Sequence, residues 1–260
     1  MISKNAEIGE NARIGKNVQI GNFVTIENDV IIGDDCWIGN NVNILDGSRI
    51  GNNCQIYPGA VLAGDPQDLK FKGEYTTLEI GDNNIIRESV TISKGTISKQ
   101  KTIIGNDNML MANVHIGHDC LIGNHCVIGF SVGMAGEVIV GDWANISGLT
   151  GIHQFSMIGD HCMISGLSKV GKDVPPYVIA AREPLSYEGI NVVGLRRRGF
   201  DDDKINEIKE IYRIPFLEKR NTSLALELIE REFEQTSERD TILHFIEKST
   251  RGIIKGHNEY

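Results

Sequence analysis

Two histidines three residues apart, the second followed directly by an aspartate, stand in the stretch Asn113-Val114-His115-Ile116-Gly117-His118-Asp119-Cys120. A histidine beside a carboxylate is the minimal kit for a general base near neutral pH, since the carboxylate can orient the ring and stabilise the imidazolium. His153, further along, is followed by Gln154 and Phe155. Three consecutive arginines, Arg196, Arg197 and Arg198, form a local exception in a chain of net charge -9 and invite an anionic ligand.

The elements that must position these residues follow from an internal repeat. Aliphatic residues recur every six positions: Ile8, Ile14, Ile20, Ile26, Ile32, Ile38, Ile44, Ile50, Ile56 and Leu62, then Ile80, Ile86 and Ile92, then Ile104 through Ile116, Ile128 and Ile152 to Val170. A small or β-branched residue sits two positions before each, as Val18, Val24, Val30 and Cys36 do, and Gly, Asn and Asp fill the corners. Period two within period six means short strands with inward residues alternating with outward ones. Corner residues of those types take left-handed backbone conformations at low cost. This is the hexapeptide signature of a parallel β-helix, in which each coil buries its interior against the next.

Three hexads make one coil, so residues 18 apart should stack about 4.8 Å apart. Cys36, Cys54, Cys120, Cys126 and Cys162 then fall at inward small positions and read as buried free thiols, in keeping with a reducing compartment. Gly136 stacks on His118 and Glu137 on Asp119. The candidate base therefore has open space and an accessible N–H beside it on the next coil. His153 lies two coils from Gly117 on the same side, so His115, His118 and His153 converge on one groove. Gly148 and Gly166 form a smooth column that suits a narrow apolar chain, while His125 and His161 read as solvated edge residues.

Composition bounds the function. The acidic balance argues against nucleic acid as partner. No apolar run approaches the roughly 20 residues that span a bilayer, and Met1 to Asn5 run straight into the repeat without a signal segment. A soluble cytoplasmic protein with no membrane insertion is expected. The β-helix is expected over residues 1–176, with excursions near 63–77 and 95–101 where the six-residue ladder fails, a connector over 177–200, and a helical domain over 201–260. In the last, Asp201 to Asp203 cap a first helix that Pro215 should kink or end, and two more helices follow.

Beyond the repeat, several motifs carry a resemblance: Gln67-Asp68-Leu69-Lys70, Ile86 to Ile92, His115 to Cys120, His153-Gln154-Phe155, Asp173-Val174-Pro175-Pro176-Tyr177, Gly194 to Phe200, and Ser249-Thr250-Arg251-Gly252. In these, over nearly its whole length, the chain closely resembles the UDP-N-acetylglucosamine acyltransferases, which open lipid A biosynthesis. The resemblance implies a mainly β fold, a left-handed parallel β-helix followed by a small C-terminal α-helical domain. It also implies a homotrimer with active sites between subunits. The implied reaction moves a 3-hydroxyacyl group from acyl carrier protein to the sugar 3-hydroxyl of a sugar nucleotide, with no metal or cofactor.

On that resemblance His118 takes the hydroxyl proton, Asp119 orients it, and the Gly136 N–H meets the oxyanion. Gln67, Asp68, Lys70, His115, His153 and Gln154 bind the sugar nucleotide or acyl chain. Gly166 limits acyl length, and Asn191, Arg197 and Arg198 lie near the nucleotide phosphates. The sequence departs from the family at Glu137, where histidine is usual, and at Ser93, Val193 and Arg182-Glu183. Glu137 is expected close to Asp119 and tuning substrate choice. Two alternatives stand beside this reading: a paralogue acylating a different nucleotide-linked sugar, on an amine, and a non-catalytic trimeric scaffold, against which His118 argues.

Overall fold

The computed structural model describes residues 1–218 and 221–256. Two-residue strands alternate with four-residue corners from Glu7 onward, and every third strand joins the same parallel sheet, so three sheets form the faces of a prism. Register follows the 18-residue rule: Glu7 pairs with Thr25, Thr25 with Asn43, and His115 with Gly133 and then Gly151. The ladder isoleucines point inward and are buried from Ile20 onward, Ile8 and Ile14 at the open end being half-buried; Val18, Val24, Val30 and all five cysteines, which are free thiols, are buried too. Each buried aliphatic side chain contributes about 1.5–3 kcal/mol, so a column this long gives the prism a continuous core. Its bland polar exterior does little of this.

Corners are tight because one residue in most of them is left-handed, φ lying near +60° at Asn17, Asp35, Asp119, Glu137 and His161 among others. Three edges result, conveniently named for His118, His161 and Leu149. Both excursions leave from the same one. Val61 pairs with Thr91, 30 residues on, and Thr91 with His115, 24 residues on. The additional residues lie between Gly64 and Thr77 and between Ser93 and Lys101. They emerge on the His118 edge, on the two coils preceding His118 itself.

After Val170 the face that carries Met163-Ile164 is extended by Val178–Ala181, which pairs antiparallel with Ser186–Ile190. Helix α1 (Val192–Arg197) and three longer helices follow: α2 (Asp202–Phe216), α3 (Thr222–Glu232) and α4 (Ser237–Lys248). Asp201 caps α2 by accepting the Lys204 N–H, and the helix runs one residue past Pro215. Asp173 ties this region to the prism. Its buried carboxylate accepts the Met157 N–H at 2.8 Å and the Ser249 hydroxyl at 2.6 Å, while its backbone bonds Gly252 and Ile254. Among the described residues no helix is long and apolar enough to cross a membrane.

Candidate active site

His118 and Asp119 occupy the corner between strands His115–Ile116 and Leu121–Ile122. Asp119 takes the left-handed position, which turns its carboxylate back onto the preceding ring. His118 Nδ1 lies 2.8 Å from Asp119 Oδ2, both groups being buried. The second oxygen, Oδ1, accepts N–H bonds from Thr96 (2.9 Å) and Lys99 (3.2 Å), and Thr96 Oγ1 donates to Oδ2 at 2.6 Å. Both carboxylate oxygens thus serve as acceptors. With Nδ1 directed at this carboxylate, Nε2 is the ring nitrogen turned away from Asp119.

That free nitrogen faces Gly136. A Cβ placed on Gly136 would stand 2.5 Å from His118 Nε2 and Cε1, so any side chain there displaces the ring. The Gly136 N–H has no acceptor among the described residues, while the next N–H, of Glu137, is taken by the His118 carbonyl at 2.9 Å. A base nitrogen and a free amide donor thus flank one small opening.

The opening belongs to a groove of ≈ 570 Å³ whose lining includes Gln67, Ser93, His115, His118, Gly136, His153, Gln154 and Lys169. Its floor is the in-register column His115, Gly133, Gly151, Lys169, whose two glycines would give a Cβ no neighbour within 4 Å. His115 shares a 2.8 Å hydrogen bond with Thr91 Oγ1, and burial lowers its pKa below the usual histidine value, which favours the neutral ring. His153 is exposed and donates from Nδ1 to its neighbour's carbonyl.

The residues expected from sequence thus divide into two groups. His115, His118, Gly136, His153, Gln154 and Gln67 line the groove. Asp68 and Lys70 stand on the adjacent excursion, where the Asp68 carboxylate accepts the Lys70 N–H. Gly166 lies on the Leu149 edge, where an added Cβ would stand 3.2 Å from the Gly148 carbonyl. Asn191 caps α1 and donates to the His161 carbonyl, Arg198 packs over Trp143, and Arg197 is exposed. These last four are absent from the lining of the groove. Glu137 takes the Ser98 hydroxyl at 3.2 Å and does not line the groove either. Its expected pairing with Asp119 becomes a shared attachment to segment 96–99. Thr96, Ser98 and Lys99 escaped the sequence reading; the only signal was that the six-residue ladder skips this segment.

Three comparisons bear on this arrangement. Residues 173–254 match the family described as Udp N-acetylglucosamine O-acyltransferase, domain 2, and residues 29–64 and 101–136 match the bacterial transferase hexapeptide repeats. An acyl-[acyl-carrier-protein]–UDP-N-acetylglucosamine O-acyltransferase from Chlorobaculum parvum is 56% identical over 207 residues, covering 79% of this chain and 78% of its own. The chain belongs to the UDP-N-acetylglucosamine O-acyltransferase family. A relative of the same name from Aquifex aeolicus is 53% identical over 205 residues, covering 78% of each chain. The solved UDP-N-acetylglucosamine acyltransferase of Bacteroides fragilis superposes with a TM-score of 0.96 at 53% identity, over 98% of this chain and all of that one. The left-handed β-helix and helical C-terminal part are therefore those of the acyltransferase family.

Proposed function

We propose that the chain transfers a 3-hydroxyacyl group from acyl carrier protein to the 3-hydroxyl of UDP-N-acetylglucosamine, with His118 as general base. The observation that carries this is the packing of an Nδ1-anchored imidazole against a glycine on the facing coil whose N–H has no acceptor among the described residues. His118 Nε2 removes the hydroxyl proton as the sugar oxygen bonds to the thioester carbon, and the Gly136 N–H stabilises the oxyanion. Collapse of that intermediate breaks the C–S bond, and the imidazolium returns its proton to the leaving thiolate. Gln67, Asp68, Lys70, His115, His153 and Gln154 are assigned to substrate binding, Gly166 to acyl length, and Asn191, Arg197 and Arg198 to the nucleotide phosphates.

Gly166 and the arginines lie on edges other than that of His118, which favours a homotrimer in which a neighbouring copy completes each groove. Apolar side chains on the Leu149 edge support this: Phe23 is 66% exposed, Leu149 54% and Leu167 78%. The assay is incubation with acyl carrier protein thioesters of several lengths and a panel of sugar nucleotides that includes an amino-sugar analogue, read by mass spectrometry. An O-acylated UDP-N-acetylglucosamine is expected. Acylation of the amine analogue alone would assign the chain to a paralogous reaction, and no product with any pair would refute the proposal.

A further inference from the structure

Segment 96–99 is shaped around the Asp119 carboxylate. Thr96 and Lys99 aim their N–H groups at Oδ1, and the Thr96 hydroxyl reaches Oδ2, the atom that holds His118. A carboxylate offers about four acceptor positions, and these four donors fill them. The segment is itself lashed down. The Gln100 N–H closes a turn onto the Thr96 carbonyl at 2.7 Å, and the Ser98 N–H returns to Thr96 Oγ1. On one side the Ile97 N–H donates to Glu74 of the first excursion, and on the other Ser98 Oγ donates to Glu137 of the next coil. Below it, Thr102 accepts the Asp119 N–H.

We propose that Thr96–Lys99 is a positioning element for the base, with Thr96 as its principal residue and Glu137 as the anchor that pins it through Ser98. It acts through Asp119 and touches no substrate: by fixing both carboxylate oxygens it fixes the His118 tautomer and its aim at Gly136. This rests on the reading of His118 as base, and it gives Glu137 a role in place of direct contact with the sugar.

The test compares wild type with Thr96→Val, Thr96→Ser and Ser98→Ala in steady-state transfer from acyl carrier protein thioester to UDP-N-acetylglucosamine. Protein labelled with ¹⁵N-histidine is examined in parallel for the His118 Nδ1–H resonance. Thr96→Val should lower kcat at least about tenfold, with KM for both substrates within about twofold of wild type, because only the transition state depends on the aim of the base. Thr96→Ser, which keeps the hydroxyl, should recover kcat to within about threefold, and the Nδ1–H resonance should survive in the serine variant and broaden in the valine one. Ser98→Ala leaves the buried contacts alone and should lower kcat by about two- to fivefold, which decides the matter if the valine variant does not assemble. A valine variant with wild-type kcat and an intact resonance overturns the proposal, as does a serine variant no better than valine. Absence of transfer by wild type would refute the acyltransferase reading instead, and the resonance would still judge the positioning element.

Discussion

Gly117-His118-Asp119-Cys120 and Gly159-Asp160-His161-Cys162 contain the same four residue types with the middle pair exchanged, each turning an edge of one solenoid. Their fates differ completely. On the His161 edge the residue before the left-handed position caps the preceding coil. From Lys16 through Asp34, Asn52, Asp82, Asn106, Asn124 and Asp142 to Asp160, each N–H donates to the side-chain oxygen one coil further on, at 2.6–2.9 Å. The left-handed residues His125, Trp143, His161 and Tyr177 then stack, their nearest ring centroids 4.1 Å apart at His125 and Trp143. On the His118 edge the corresponding residues are His118, Gly136 and Gln154. None offers a side-chain oxygen to the coil before, so the Gly136 N–H stays open. A corner whose amides are satisfied stabilises the prism, whereas a corner with an amide to spare beside a base has a donor for a ligand.

The contrast can be broken outright by reversing the order. The double variant His118→Asp with Asp119→His recreates the other corner's sequence and should lose transfer by about 10²–10⁴-fold, the usual span of general-base effects. Retention of more than about a tenth of the rate would mean that residue order is irrelevant there. Gly136→Ala asks the same of the opening: with its Cβ 2.5 Å from the imidazole, kcat should fall by roughly 10–100-fold while thermal stability changes little. Unchanged kcat would show that the ring has room elsewhere.

Smaller effects sharpen the comparison on the other edge. Neutralising Arg197 and Arg198 together should raise KM for the sugar nucleotide or the acidic carrier protein several-fold, and added salt should reproduce part of the loss. If KM at low salt is unmoved, the triplet is only surface. His161 supplies the least effect, visible in stability. Burial, with Arg198 adding to it, lowers its pKa to about 4, below an unfolded value near 6.5. The unfolded chain therefore binds more protons between those values, and this contribution to stability, whole above about 6.5, is lost as pH falls toward 4. The difference in Tm between wild type and His161→Phe should narrow or reverse across that window. A difference constant with pH would contradict the assignment.

Much of this was legible in the sequence because a solenoid converts spacing into position. The ladder from Ile8 to Val170 and the 18-residue rule placed His118 beside Gly136 and His153 on the same groove, since parallel in-register stacking leaves no freedom to do otherwise. Where the repeat breaks, the rule has nothing to count. Segment 96–99 was visible only as an interruption, and its hold on Asp119 depends on backbone N–H directions that no residue type announces. Glu137 stacked on Asp119 in register, yet its carboxylate found Ser98 on the inserted segment. Stacking fixes Cα positions but not where a long exposed side chain goes.

The central claim is that the His118 corner performs the transfer. It is tested most directly by measuring the turnover of His118→Ala with acyl carrier protein thioester and UDP-N-acetylglucosamine, after confirming that the variant keeps the wild-type fold. The expected rate is below about one-hundredth of wild type. A folded variant that retains more than about a tenth of the wild-type rate would contradict the claim, because a general base cannot be removed at so small a cost.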